Sequence, residues 1–396
     1  MTKHIGRLQA IGFGKESTAG TAVAATFWAP KESGQMTPEY TMEEDNSAYN
    51  TIDEVFDVVK TKETAKVTLN TTIRDEAFGN VLLAAFGTET LLYCMTLAGV
   101  SGGTPARGDV ISSSAGSWAG VIKKVLIFGG TTYYFCSLTS GTFSNQTDVT
   151  NGTWTGGDNV MKAGVYGHYF TRLNTNNHPS FTAYAHDPVS DERAAYVMLD
   201  KLEMNFKVGS YARFKSEWKG KAMASTSAQT PTYASENRFL TAHARVYFAA
   251  SESALNAVST GESLQSFNLT IMKNLIDVQS FESAFDVESL HNRQFRAAGN
   301  LEALYEDTTM RDYAADSEKK ACRLLLSNTN ASELLASSSI YPTIVIDLAR
   351  IGFSEWSRGD DLNELVSQTL GFLGELSTSD AFTIEALLIN DRATVY

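Results

Sequence analysis

The 396-residue sequence predicts a mainly β protein in which a unit of strand, helix and strand pair occurs twice, with a small all-β domain inserted into the first unit. Three observations carry this prediction. Residues 199–223 alternate apolar and charged side chains around a glycine turn, a strand followed by a helix occurs in each half, and residues 90–166 differ in composition from both flanks. The predicted domains are residues 1–89 with 167–225, residues 90–166, and residues 226–396.

The charge and cysteine content exclude several classes of protein. A net charge of −13 argues against a surface that binds nucleic acid, which needs basic groups to neutralise phosphates, but not against a channel through which DNA slides. The three cysteines are scattered, so neither a disulfide framework nor a zinc site is predicted. The sequence has no leader-like apolar segment and no run of about 18 apolar residues, so neither a signal peptide nor a membrane span is predicted.

Residues 1–39 are rich in Gly, Ala, Thr and Pro and predict an extended arm. Within the arm, GFGKEST (residues 12–18) is similar to a phosphate-binding loop. However, Glu16 stands where a Ser or Thr that holds magnesium should follow the lysine, and no apolar strand precedes the segment. A nucleotide site is therefore not predicted.

A mobile acidic loop is predicted for residues 40–57. The stretch lacks the ligand spacing and the turn glycine of a calcium loop, so a mobile loop is favoured over metal binding. Its candidate functional residues are Glu43, Glu44, Asp45, Asp53 and Glu54.

A strand and a short amphipathic helix follow the acidic stretch. Residues 65–73 alternate apolar and polar side chains, as a half-buried strand does. In the segment DEAFGNVLLAAFG that comes next, Asp75 is placed to cap a helix and Gly87 to end it.

Residues 90–166 predict a separate all-β domain because they are rich in Gly, Ser and Thr and carry few charges. Gly129-Gly130 separates two short strands, as in a hairpin. Trp118 and Trp154 could stack on a sugar if they were exposed, but burial in a small β-core is the favoured interpretation.

Residues 199–223 predict a long antiparallel hairpin with one buried and one solvated face. Side chains of the buried face recur with period two on both legs, from Leu202 to Val208 and from Ala212 to Trp218, and Gly209-Ser210 supplies the turn. Taken alone, the stretch is equally typical of any solvated sheet face. The candidate functional residues on its polar face are Lys201, Glu203, Asn205, Lys207, Arg213, Lys215, Glu217 and Lys219.

The second half repeats this order of elements. Strands are predicted at residues 265–273, 297–306, 343–348 and 365–376, with a helix after Asp307 or Thr308. The wet face of the last two strands should lie beside the polar face of the first hairpin. No catalytic, cofactor-binding or metal-ligating residue is predicted, since the histidines lack ligand spacing and no nucleophile elbow occurs.

Four segments resemble the tail tube proteins of long-tailed, non-contractile bacteriophages. They are IGFGKESTAGTAVAATFWAPKESGQM (residues 11–36), NTTIRDEAFGNVLLAAFGT (70–88), KLEMNFKVGSYARFKSEWKGKAM (201–223) and SFNLTIMKNLIDVQSF (266–281). The resemblance covers most of the chain except the insertion. It implies a structural, non-enzymatic virion protein with no cofactor, a β-sandwich with a flanking helix whose inner sheets close across subunits into a hollow tube.

The resemblance also implies the partners and the location. We expect the protein to be made in the bacterial cytoplasm, to assemble with itself in the virion tail, and to contact the tape-measure, tail-terminator and tail-tip proteins. Double-stranded DNA should pass through a negative or balanced lumen without specific binding.

Two tandem tube domains would give trimeric rings with pseudo-sixfold symmetry; hexameric rings are the alternative. A decoration or carbohydrate-binding protein of the virion is a competing interpretation, and a hydrolase on a β-scaffold is the weakest.

Overall fold

The structure, a computed structural model, describes residues 5–113, 116–154, 157–283, 285–359 and 365–396. This part of the chain is mainly β, as predicted, with one large antiparallel sheet system and a separate two-stranded sheet. Some residues of the predicted domains lie outside the described part. They are residues 1–4 of the arm, 114–115 and 155–156 of the insertion, and 284 and 360–364 of the second half.

Among the described residues there are two α-helices and 23 strands. The helices are α1 (Ala77–Phe86) and α2 (Thr309–Ala315). The strands of the first half and the insertion are β1 (Ala10–Lys15), β2 (Phe27–Ala29), β3 (Ser33–Asp45), β4 (Asp57–Thr72), β5 (Gly87–Ala98), β6 (Val110–Ser113), β7 (Trp118–Phe128), β8 (Thr131–Gly141), β9 (Gln146–Thr150), β10 (Gly157–Arg172), β11 (Phe181–His186), β12 (Glu192–Lys207), β13 (Arg213–Gly220) and β14 (Ala224–Ser225). Those of the second half are β15 (Ala244–Ala249), β16 (Leu264–Met272), β17 (Ile276–Val278), β18 (Ser289–His291), β19 (Arg296–Leu304), β20 (Lys319–Ser327), β21 (Thr343–Gly359), β22 (Ser367–Glu375) and β23 (Ile384–Asn390).

Eight strands form one continuous antiparallel layer, which we call the eight-stranded layer. Its order is β3–β4–β13–β12–β16–β19–β22–β21, the last position being taken by residues 350–359 of β21. The join between the two halves is the pairing of β12 with β16, which places Met204 opposite Leu269. The two halves therefore share a single sheet.

A second layer packs behind the first and buries the main core between them. In the first half it consists of β2, β1, β11 and the beginning of β12, and in the second half of β15, β20, residues 343–348 of β21, and β23. The ring centroids of Phe13 and Trp218, one from each layer, lie 4.9 Å apart. The predicted N-terminal arm is therefore not simply extended, since it supplies β1, β2 and the beginning of β3, and β1 is almost entirely buried.

Strand β12 passes from one layer to the other at Tyr196, whose φ of +53° is rare for a residue with a side chain. Its backbone N–H donates to the Glu16 carboxylate at 2.9 Å. That carboxylate also accepts hydrogen bonds from the Ser180 and Thr182 hydroxyls, at 2.7 Å and 2.9 Å. The glutamate that interrupts the phosphate-loop pattern therefore fixes the strand corner.

Helix α1 lies where it was predicted, but two predicted details were wrong. The helix is not amphipathic, since nine of its ten residues are buried between the layers. Asp75 does not cap it; the Ala77 N–H donates to Glu236 of the second half at 2.5 Å, while Asp75 accepts from Asn237. The predicted C-terminal glycine is confirmed, because Gly87 has a φ of +95°.

The insertion is built on two long strands that extend beyond residues 90–166. The first, β5, begins before residue 90, and the second, β10, ends after residue 166. Strands β5 and β10 pair from Gly87 with Arg172 out to Ala98 with Asp158. Trp118 and Trp154 are 1% and 2% exposed and fill a core within the insertion, as the favoured interpretation held. A second core joins the insertion to the other half of the chain, because β10 also pairs with β23.

Candidate functional site

One face of the eight-stranded layer is polar and faces solvent, and it runs across both halves of the chain. Residues paired directly in an antiparallel sheet project from the same face, so the register defines rows of neighbouring side chains. One row crosses seven strands, through Thr72, Arg213, Asn205, Asn268, Asn300, Gly371 and Glu355. The Asn268 amide donates to Asn205 Oδ1 at 2.6 Å and so links the halves on this face.

The structure brings the eight predicted hairpin residues together on this polar face. Their neighbours along each strand, such as Met204 and Phe214, are buried, while the eight themselves are exposed or half-buried. Val208 was predicted to be buried but is 59% exposed, because it lies in the turn beyond the paired strands.

Most charges on the face are paired with a close neighbour. Lys215 Nζ lies 2.7 Å from Glu217 Oε1, and Arg213 Nε lies 2.8 Å from Glu32 Oε2. The hydrogen bond between Lys215 and Glu217 raises the pKa of the lysine and lowers the pKa of the glutamate. Lys201 pairs in the same way with Glu203. Solvent screens these pairs, so each contributes at most about 1 kcal/mol to stability.

The polar face is not acidic, although the chain carries a net charge of −13. Of the eight hairpin residues, five are cations and two are carboxylates. Lys207 and Lys219 have no ion-pair partner in the part of the chain that the structure describes. In the second half the face is nearly neutral, with Asn268, Thr270 and Asn300 as its central residues.

The prediction that residues 343–348 have a solvated face was wrong. All six residues are buried, because this part of β21 lies between β20 and β23 with packed side chains on both faces. Strand β22 does contribute to the polar face, through Thr369, Gly371 and Leu373. The continuation of β21, residues 350–359, completes it.

The eight-stranded layer is open at both ends. Among the described strands, β3 pairs only with β4, and residues 353–359 of β21 pair only with β22, whereas Ile351 and Gly352 also pair with β20. Because every pair in the layer is antiparallel and the number of strands is even, the two open edges run in opposite directions. Such edges can pair with each other between copies of the chain.

The predicted acidic loop is the tip of the β3–β4 hairpin and includes the end of β3 and the beginning of β4. Glu43, Glu44 and Asp45 are the last residues of β3 and pair with Val59, Val58 and Asp57 of β4. Asp53 and Glu54 lie in the connecting residues 46–56. The hairpin tip exposes many apolar groups beside the acids. Its exposed apolar residues are Tyr49, Ile52, Val55, Phe56, Val58 and Val59.

A buried ionic cluster, which sequence reasoning missed, joins the insertion to the second half. Lys124 is 2% exposed, and its ammonium contacts Glu252 at 2.9 Å, Glu385 at 2.5 Å, and Asp347. Arg107 binds Glu385 at 2.7 Å, and Arg323 binds Asp347 at 2.8 Å. The three cations therefore match the three carboxylates, and we call the six residues the ionic cluster.

The ionic cluster keeps Asp347 and Lys124 charged. Burial would raise the pKa of Asp347, but Lys124 and Arg323 outweigh that effect and hold the pKa well below its usual range. Burial likewise lowers the pKa of Lys124, and the carboxylates of Asp347 and Glu385 more than restore it. The three carboxylates form the one group of potential metal ligands in the described part of the chain, but the Lys124 ammonium already contacts all of them.

The histidines near the first hairpin lie at separate positions with their own partners. His168 is fully buried and lies 2.7 Å from Glu89, while His186 lies 2.8 Å from Asp191. Burial lowers the pKa of His178 to about 4. No described helix is long and apolar enough to cross a membrane.

The family model of the phage tail tube protein matches residues 6–364. No curated protein matches the sequence.

Proposed function

The chain belongs to the phage tail tube protein family, and on that premise we propose that it polymerises as stacked rings into the hollow tube through which DNA is delivered. The family makes the protein a structural component of the virion tail that assembles with copies of itself. The observation that carries the proposal is the eight-stranded layer, with a continuous polar face and two open, oppositely directed edges. Ring closure would pair β3 of one copy with residues 353–359 of the next.

We propose that the chain contains two tube domains in tandem. Strand order supports this, since the four strands of each half lie in the order first, second, fourth, third: β3–β4–β13–β12 and β16–β19–β22–β21. Each half also has its helix between the second and third of these strands. The first domain would be residues 1–89 with 167–225 and the second residues 226–396, with residues 90–166 inserted.

Trimeric rings follow from this arrangement. Three copies supply 24 strands, and a barrel of 24 strands spaced about 4.8 Å apart and tilted by about 40° has a backbone diameter of about 45–50 Å. A barrel closed by the eight strands of a single chain would be filled by its own side chains. The alternative hexamer requires the second half to project outward, whereas it shares the layer with the first half.

The polar face would line the lumen. Most of its charges are paired with a close neighbour, and of the eight hairpin residues only Lys207 and Lys219 are cations without an ion-pair partner in the described part of the chain. So few free cations support the passage of DNA without specific binding. The proposed further contacts are with the tape-measure protein in the lumen and with the terminator and tail-tip proteins at the two ends of the tube.

The tip of the β3–β4 hairpin would contact the next ring, because it exposes apolar and acidic groups together. Amide exchange at residues 43–59 should therefore be fast in the monomer and at least tenfold slower in tubes. Hydrogen–deuterium exchange with mass spectrometry on both forms would measure this. Residues 299–303, in the middle of the layer, are the control and should exchange slowly in both. Equal exchange at residues 43–59 in monomer and tube would contradict the assignment.

We propose that residues 90–166 form an outer domain that tube assembly does not need. The flanks are close enough for a short Gly/Ser linker, since Glu89 pairs with Phe170. Deletion removes Arg107 and Lys124, so it leaves Glu252 and Glu385 without their cations. We expect the deletion combined with Glu252→Gln and Glu385→Gln to be soluble and to assemble, and the plain deletion to be less stable.

Chemical denaturation and electron microscopy of both deletion proteins would measure these outcomes. If neither protein forms rings while the full-length chain does, the insertion is part of the tube wall.

A further inference from the structure

A small cavity with a basic lining lies between the two halves, away from the polar face. Its volume is about 120 Å³, and it is bounded by residues 172–178, which follow β10, and by residues of the segment 273–295, between β16 and β19. The cationic side chains that line it are Arg172, Lys273 and Arg293. None of the described lining residues is acidic.

Lys273 is a buried lysine at this cavity whose ammonium group forms no ion pair among the described residues. It is 1% exposed, and its ammonium donates to the carbonyl of Ala84, in the last turn of α1, at 2.7 Å. Burial lowers its pKa to about 7, with Asp200 opposing the shift. A negative charge in the cavity would therefore be stabilised by Lys273 and would in turn favour its protonated form.

Asn292 supplies an independent sign of a missing ligand. Its side chain lines the cavity and is 6% exposed, and its Nδ2 donates to the Asn176 carbonyl at 3.3 Å. Its Oδ1, however, is buried without a hydrogen-bond partner among the described residues. A buried acceptor without a donor is costly, so a ligand that donates a hydrogen bond here would be favoured.

We propose that this cavity binds a small oxyanion that carries a hydroxyl group, of which hydrogen phosphate is the simplest. Arg172, Arg293 and Lys273 would hold its negative oxygens, and its hydroxyl would donate to Asn292 Oδ1. The volume is about four times a water molecule's share of the liquid, enough for one tetrahedral anion. Binding would pin the segment 273–295 of the second half against the first.

Isothermal titration calorimetry of the full chain with inorganic phosphate at pH 7 and constant ionic strength tests the site. We expect one site per chain. Affinity should fall at least tenfold in Arg172→Gln and Arg293→Gln, both of which change side chains on the accessible rim. Arg311→Gln, an exposed substitution on α2, is the matched control and should bind as the wild type does.

Sulfate is the second probe, because it presents the same charged oxygens but no hydroxyl at pH 7. It should bind at least tenfold more weakly than phosphate. Absence of phosphate binding, or equal binding by wild type, Arg172→Gln and Arg293→Gln, would overturn the site. Equal affinities for sulfate and phosphate would overturn the role given to Asn292.

Discussion

Replacing Lys124 with methionine is expected to destabilise the folded chain by about 3–5 kcal/mol, because it leaves buried carboxylates without their central cation. Lys124 contacts Glu252, Asp347 and Glu385, and all four side chains are at most 7% exposed. Methionine has nearly the same length, so the loss of charge rather than of volume dominates. Urea unfolding followed by circular dichroism would measure the change in free energy.

The adjacent Lys123→Met is the matched control. Lys123 lies on the same strand but on its other face, half-buried and outside the ionic cluster, so its loss should cost less than about 1 kcal/mol. Adding Glu385→Gln to Lys124→Met should recover part of the loss, since it removes one uncompensated charge. Equal unfolding free energies for Lys123→Met and Lys124→Met would contradict the role of the ionic cluster.

The ionic cluster also sets the response to acid. The pKa of Asp347 is lower in the folded chain than in the unfolded one, so its stabilising contribution is present above about pH 4 and is lost as the pH falls further. The wild type should therefore lose stability on acidification from pH 5 to pH 3. Lys124→Met should lose less over the same range, because the carboxylate then has fewer cations to hold it ionised.

Cysteines placed on the two open edges of the eight-stranded layer are expected to cross-link neighbouring copies in assembled tubes nearly completely. Disulfides form between cross-strand pairs whose Cβ atoms lie about 3.5–4.5 Å apart, and ring closure would bring β3 beside residues 353–359 within that reach. Suitable positions on the polar face are Gln35, Thr37, Glu355 and Ser357. Mild oxidation followed by non-reducing electrophoresis would show the product.

The antiparallel direction makes this test specific. If cysteines at positions i of β3 and j of β21 cross-link, then cysteines at i+2 and j−2 should do so as well, and those at i+2 and j+2 should not. The native Cys94, Cys136 and Cys322 are buried, and burial raises the pKa of each thiol, so they should not interfere. Monomeric product from every edge pair in assembled tubes would rule out closure through these strands.

The features that were predictable from sequence are those with a local periodic signal. The hairpin around Gly209 alternates between a buried and a wet face, so its register could be inferred directly. The tip of β3 could not, because residues 43–45 are exposed and strand geometry there comes from pairing with β4.

Features that depend on contacts between distant segments could not be predicted from the sequence either. The N–H group at the start of helix α1 donates to Glu236, about 160 residues away in the sequence. Asp75 was the only capping candidate next to the helix in the sequence. The ionic cluster gathers its six residues from four strands and two loops in separate parts of the chain, and its lysine has the ordinary appearance of an alternating strand residue. Buried polar contacts of this kind have no spacing rule.

The most direct test of tandem tube domains is a cryo-electron microscopy map of assembled tubes at a resolution that separates strands. We expect three copies of the chain per ring and an inner barrel of 24 strands. The polar hairpin residues from Lys201 to Lys219 should line the lumen together with Asn268 and Asn300. Six copies per ring, with the second half outside the barrel, would contradict this expectation.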